Sequence, residues 1–464
     1  MWHKEDGRMA VEQKTIALEW AQGTAAKADT AAFAGLARGF ALAVAFMCAT
    51  LEAKDFNAAD FGAKGDGRTK DTAAIQSAID AATAAGGGRV VLADGTFLTG
   101  AIALKTGVEL HLDRTARLLA SPDIADFPDW DAQHVARENL PRTRSACVIF
   151  ADEAERIAIT GDGVIDSNGQ HHIREKTDPN WKGRKFERIH PMEKTLPRVV
   201  FFAGCRDVRI SDVTMTNQPA GWSYWIHDCD RVQMRGLTIL ADVRYVNNDG
   251  IHVNCSRDVT ISDCIIETGD DSIVVRANSR SLRENKTCER VVVTNCKLKS
   301  WTNGIRIGWV NDGVIRNCSF SNIVMDDTRN GIAIEMPGLP KHNDYGREAT
   351  LIEGLTFDTI RMDGLYAYPI RAWISPSTNT QIAAVRDIRF SNIHATALNF
   401  LFLVGREDAP FRDFVFHNCS FRKVAEAALP GLKRYHSFVR PYKREDMVEH
   451  VEGLVYDNVR FDAP

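Results

Sequence analysis

None of the ten cysteines in this 464-residue chain forms a Cys-x-x-Cys pair, which removes a common zinc-site spacing. Charge of one sign is also lacking, and a net charge of -4 leaves no electrostatic footprint for a nucleic-acid partner. The apolar run 39–49 behind Arg38 is too short to span a bilayer. It reads instead as a secretory signal with an unusual upstream extension, which sets residues 1–53 apart from the body of the chain, 54–464. A secreted or periplasmic protein is expected. The triple glycine 86–88 follows a helical pattern rather than opening one, so it is not read as a phosphate cradle. Neither a metal nor a cofactor is expected.

What the chain does contain is repetition. From about residue 205 one phrase returns at intervals of about 22 to 27 residues or longer, with alternating apolar positions closed by Asp, Asn or Gly. Its copies are 208–213, 232–237, 259–264, 291–296, 313–318, 389–393, 415–419 and 455–459. Such alternation, rich in Val and Ile, predicts short strands. A repeat of this length built only of strands predicts a solenoid in which each coil buries its inner face against its neighbours. The expected fold is all-β: a single-stranded right-handed parallel β-helix with a short N-terminal capping helix. That helix begins after Asp71, a candidate N-cap, and carries the apolar stripe Ile75, Ala78, Ile79 and Ala82.

Two cysteine columns fit the same scheme. Cys264, Cys296, Cys318 and Cys419 share one inward repeat position, and Cys205, Cys229, Cys255 and Cys288 another; small apolar side chains stacked in a core explain both.

A second column places the polar residues. The segments 248–251, 270–273, 302–305 and 329–332 align, with Ile251, Ile273, Ile305 and Ile332 pointing inward. Period two then turns His252, Val274, Arg306 and Ala333 outward, followed by Asn254, Arg276, Gly308 and Glu335. With coils roughly 4.8 Å apart, Asp249, Asp271 and Asn303 climb one outer face with Asp270 beside them. Three carboxylates on neighbouring rungs can do acid/base hydrolysis, although Asn and Asp also serve turns in every coil.

The opening 60–67 (Asp-Phe-Gly-Ala-Lys-Gly-Asp-Gly), the Asn-x-Asp motif ending in Asp249 and the Asp270-Asp271 pair together resemble the pectin-degrading glycoside hydrolases of family 28, the polygalacturonase family. That resemblance implies an inverting mechanism, with Asp270 as general acid and Asp249 and Asp271 holding and activating the water. Inverting enzymes need carboxyls about 6.5 to 9.5 Å apart, which one to two coil spacings supply. A polysaccharide or oligosaccharide substrate and a monomeric enzyme are expected.

Two family motifs do not match. Asn303 stands where the family has the histidine of Gly-His-Gly, and Ala333-Ile-Glu335 stands where it has the carboxylate-gripping Arg-x-Lys. Arg276, Arg306, Arg244 and His252 are the candidate compensating groups, and Glu335 and Asn303 are candidate readers of a neutral sugar. The polar insertions 167–196 and 337–350 are candidate cleft walls that favour exo action, and Trp222, Trp225, Trp309 and Trp373 are candidate sugar platforms or packing residues. His171 and His172 are read as solvated. Two other readings stay open. One is a β-helix lyase using calcium on the three aspartates with Arg276 or Arg306 as base. The other is a carbohydrate-binding β-helix without activity.

Overall fold

The computed structural model describes residues 54–131, 135–136, 139–140, 145–174, 190–191, 196–219, 221–338, 348–429 and 446–463. The signal-like run and most of the two expected wall insertions, with Trp181 and Tyr345, lie outside the described residues.

Each repeat phrase forms a strand because β-branched and aromatic side chains fit a pleated, half-buried surface. Each is then closed by a residue that tolerates the left-handed backbone region. Asp263, Asn295, Asn322, Asn392, Asn418 and Asn458 take φ between 51° and 59°. Their side chains link successive coils, Asn295 Nδ2 donating to Asp263 Oδ1 at 3.2 Å and Asn458 Nδ2 to Asn418 Oδ1 at 3.0 Å. The Asn and Asp of the phrase are therefore there for the corner they turn.

The site-bearing face is an eleven-stranded sheet whose spatial order follows chain order. Its strands are β1 (Ile102–Ala103), β2 (Ile149–Asp152), β3 (Arg198–Ala203), β4 (Trp222–His227), β5 (Ile251–Asn254), β6 (Ile273–Arg276), β7 (Asn303–Ile307), β8 (Asn330–Met336), β9 (Ile370–Ile374), β10 (Leu401–Val404) and β11 (Met447–Glu449). Every neighbouring pair runs parallel, so each connection makes a full circuit through a second, larger sheet. Parallel crossovers of this kind are right-handed. The result is the expected right-handed parallel β-helix. Its inward column is Tyr224, Ile251, Ile273, Ile305, Ile332, Ile370 and Leu401.

Helix α1 (Thr72–Ala84) buries the four expected apolar residues and covers the first coil. Asp71 precedes it but makes no side-chain cap. Its carboxylate instead accepts Lys64 N–H at 2.7 Å and Gly65 N–H at 3.0 Å, fixing the glycine turn upstream.

All nine described cysteines are buried and unbridged, but two leave their expected columns. Cys296 stacks on Ile323, whereas Cys318 stands opposite Leu355 in another row. The phrase 313–318 lies at a different corner of the coil, where Asn317 (φ 55°) also turns left-handed. Two corners with the same turn chemistry give the same phrase, and a slip along the strand changes the partner of every side chain. Cys255, itself at φ 55°, leaves the inward column and packs outside with Trp225 and Leu282.

Phe320, Phe357, Phe390 and Phe416 stack through four coils at centroid spacings of 4.8, 5.1 and 4.8 Å. Phe357 is fully buried with a ring on each side. Phe357→Ala is expected to lower unfolding free energy by about 3–5 kcal/mol, with Phe357→Leu costing less, both read from urea denaturation midpoints.

Candidate active site

Asp249 and Asp271 stand two residues before the inward isoleucines of β5 and β6, and Asn303 and Asn330 open β7 and β8 at the same level. The glycines of the two aspartate motifs let the coils approach. A Cβ on Gly250 would sit 2.8 Å from Ile266 Cγ2, and one on Gly269 would sit 2.6 Å from the carbonyls of Tyr245 and Val243. Buried Asn248 ties the motifs together. Its Oδ1 accepts the N–H groups of Gly269 (2.9 Å) and Asp270 (3.1 Å), and its Nδ2 donates to the Asp242 carbonyl at 2.7 Å.

The three aspartates occupy different environments. Asp270 is half-buried. Its Oδ2 accepts Asn247 N–H at 3.0 Å, and its Oδ1 accepts Asp271 N–H at 3.1 Å and lies 3.0 Å from Thr302 Oγ1. Asp271, 3% exposed, accepts on Oδ1 from Thr302 Oγ1 and Asn303 Nδ2, both at 2.7 Å, while Arg306 Nε lies 2.5 Å from its Oδ2. Asn303 is turned this way because its Oδ1 accepts Asn330 Nδ2 at 2.9 Å. Burial pushes the Asp271 carboxyl up, the Arg306 guanidinium opposes that rise, and the Asp270 charge adds to it.

Asp249, 2% exposed, sits 3.9 Å from Arg306 Nη2 and 3.7 Å from His252 Nδ1. His252 is buried against the Trp222 ring at 4.1 Å. Desolvation first, then the nearby Arg276 and Arg306 charges, holds its imidazole well below the usual range. Near neutral pH it faces Asp249 as an uncharged ring.

The candidate binding residues divide. Arg306 and Asn303 join the aspartates, Arg306 lying between Asp271 and Asp249. Arg276 does not face a substrate: its guanidinium is buried in a two-pronged pair with fully buried Asp312, at 2.6 and 2.7 Å. Glu335 pairs with Arg371 of β9, one coil further on. Arg244 is spent on Asp242. His172, read as solvated, is buried with Nε2 3.1 Å from the Ser121 carbonyl and its ring against Phe127. Asn247, Thr302 and Arg371 were missed as site residues. The first two lie inside or beside the quoted motifs, but their side-chain partners come from other coils, and Arg371 carries no motif at all.

One end of this face is closed. Outside β2 to β4, Phe150, Phe201 and Trp225 lie under Trp130, Val135, Leu140 and Leu282. Val135 and Leu282 bridge two segments of this cover, and Ala136 N–H donates to the Ser281 carbonyl at 2.8 Å. Trp225 is thus packing, with the Arg198 guanidinium 4.0 Å from its ring centroid. On the other side of the aspartates Trp309 and Trp373 are half-buried, beneath Arg306 (4.4 Å) and Arg371 (4.9 Å).

Carboxylates on adjacent coils, one accessible and two buried beside a guanidinium, are the equipment of glycosidic-bond hydrolysis. Sequence comparison gives the class its family. The profile described as "Glycosyl hydrolases family 28" matches residues 128–419, more than half of the chain, and the chain belongs to that family of glycosidases. A second profile, "Rhamnogalacturonase A/epimerase, pectate lyase-like", matches 56–117. A probable polygalacturonase of Vitis vinifera is 26% identical over 79% of this chain and 74% of its own length. An exo-poly-alpha-D-galacturonosidase of Dickeya chrysanthemi is 27% identical over 47% of this chain and 41% of its own. Among solved structures, an exopolygalacturonase from Thermotoga maritima shares the fold with a TM-score of 0.70, at 22% identity, covering 88% of this chain and 92% of that one.

Removing one member of a buried ion pair strands the other charge. Asp312→Ala is therefore expected to cost about 3–5 kcal/mol of stability, whereas the double change Arg276→Met/Asp312→Leu should lie close to wild type. Chemical denaturation of the three proteins checks this. A full-stability Arg276→Met variant with raised KM would return Arg276 to the substrate.

Proposed function

We propose that this glycosidase hydrolyses an O-glycosidic bond of a pectic polysaccharide or oligosaccharide, galacturonan or rhamnogalacturonan in type, with inversion at the anomeric carbon. The observation that carries the reading is the meeting of Asp249, Asp270 and Asp271 around Arg306 on the outer face of three successive coils. Relatives named as polygalacturonases support the substrate class.

The environments divide the labour. Asp270, the most accessible, protonates the glycosidic oxygen as the C–O bond breaks. Water attacks the anomeric carbon and gives its proton to Asp249. Asp271, occupied by the Thr302 and Asn303 donors and paired with the Arg306 guanidinium, lends charge and holds the neighbouring groups in place. The lyase reading loses ground here, because Arg306 already supplies the positive charge that it assigns to calcium. A guanidinium held charged by two carboxylates is no base, and Arg276 is consumed by Asp312.

Subsite chemistry differs from a plain uronate clamp. Ala333 is small and apolar, and the charge of Arg371 is matched by Glu335. A sugar resting on Trp309 or Trp373 would meet aromatic faces and neutralised ion pairs, which suits a neutral residue of a mixed pectic chain. The covered face over β2 to β4 supports attack from a chain end, because a polymer cannot run past Trp222 through that packing. The signal-like run 39–49 supports action outside the cytoplasm. No described helix is long and apolar enough to cross a membrane.

Incubation of the chain from Lys54 with pectic polymers and oligomers is expected to yield new reducing ends without the ultraviolet absorbance of a lyase product. Asp270→Asn should reduce the rate by about 10²–10⁴. End-on action predicts release of one short product while polymer viscosity falls slowly; a rapid viscosity drop would mean that the face is open. Binding without any product would favour the inactive carbohydrate-binding reading.

A further inference from the structure

Thr302 occupies a position where family 28 members carry the first glycine of Gly-His-Gly, and its hydroxyl stands between the two adjacent carboxyls. Oγ1 is 2.7 Å from Asp271 Oδ1 and 3.0 Å from Asp270 Oδ1. A hydroxyl has one proton to donate. If both carboxyls were ionised, that proton would serve one of them and leave the Thr302 lone pairs facing a second anionic oxygen. One added proton resolves the conflict: Asp270 Oδ1–H donates to Thr302 Oγ1, and Thr302 donates to Asp271 Oδ1.

The surroundings fit that assignment. Asp271 receives Asn303 Nδ2 on the same oxygen and has the Arg306 guanidinium at the other, which oppose the burial that pushes its carboxyl up, whereas Asp270 is met by the neutral N–H groups of Asn247 and Asp271. The cation therefore favours placing the charge on Asp271 and the proton on Asp270. The Thr302 main chain is anchored independently, its N–H donating to Ser300 Oγ at 2.9 Å, and that Oγ lies a longer 3.4 Å from the Thr302 hydroxyl. The charged groups facing the pair are Arg306, Asp249 and, at the level of Thr302 in the next coil, Arg329; His252 is close but uncharged. Three carboxylates, Asp249, Asp270 and Asp271, face two guanidiniums, Arg306 and Arg329, and the unmatched negative charge favours retention of one proton, shared by the aspartate pair.

We infer that Thr302 is a positioning residue that holds one shared proton on the Asp270–Asp271 pair, so that an acid and a carboxylate are poised side by side before substrate arrives. The inference rests on the proposed hydrolysis, in which Asp270 spends that proton on the leaving oxygen. The pair then stands doubly ionised, with Thr302 donating to one member only, until the proton is replaced from solvent.

The test compares Thr302→Val, which keeps the shape and removes the hydroxyl, with Thr302→Ser, which restores it. In the valine variant the alkaline limb of kcat/KM is expected to move down by about one pH unit, a tenfold loss at pH values above the limb, and serine should return it to the wild-type position. Equal loss at every pH with an unmoved limb would overturn the inference and leave Thr302 with packing alone. Carboxyl ¹³C titration of the free enzyme reads the same quantity without substrate: the higher of the two aspartate steps should fall in Thr302→Val and recover in Thr302→Ser. If the wild type hydrolyses nothing, the proposed function fails. The titration still decides whether Thr302 holds the proton, and an unchanged higher step there rejects it.

Discussion

Everything in this molecule depends on parallel strands pairing in register from one coil to the next. A residue's nearest neighbours across the sheet are the residues one repeat earlier and one repeat later, roughly 4.8 Å away. The site is therefore a short length of two outward columns. One runs through Asp249, Asp271, Asn303 and Asn330, and the other through His252, Val274, Arg306, Ala333 and Arg371. Each member is clamped above and below, which is how groups separated by tens of residues acquire fixed hydrogen bonds. The Asn330–Asn303–Asp271 chain shows the consequence, since the orientation of one amide sets the next.

The same geometry explains why the departures from the family pattern hang together. Placing Glu335 where a cation is usual would leave a buried, uncompensated carboxylate, at a cost of several kcal/mol. The column above supplies Arg371 to meet it. Replacing a histidine by Asn303 puts an amide donor on Asp271, and Thr302 adds a second donor to the same oxygen. Arg306, one coil from Ala333 in the same column, moves a guanidinium from the sugar side toward the aspartates. The result is a site whose charges are largely matched within the protein.

What the sequence disclosed follows from the same ladder. The inward isoleucine column and the meeting of Asp249, Asp270 and Asp271 were legible because both depend only on strand period and repeat length. The partner of Arg276 was not legible, because Asp312 lies 36 residues on, beyond the coil's periodic part, where spacing carries no information. Cys318 was misplaced because two corners of the coil use the same left-handed Asn or Asp. His172 looked solvated because it sits in a polar stretch, yet it folds back under Phe127. The regular half of each coil can be read from its period, whereas the irregular half depends on where loops fold back.

That irregular half also decides how a substrate enters. A bare solenoid face is a groove open at both ends and would admit any interior stretch of a polymer. Here the segments around Trp130, Val135 and Leu282 bury an aromatic column, Phe150, Phe201 and Trp225, that would otherwise line the groove. The cover ends at Trp222, whose ring rests on His252, and His252 faces Asp249. The closed end and the proposed base are thus linked through one aromatic contact. On the opposite side half-exposed Trp309 and Trp373 continue the groove toward the C-terminal coils. The proposed attack from a chain end rests on this asymmetry, with an aromatic cover ending at Trp222 on one side of the aspartates and two partly exposed rings on the other.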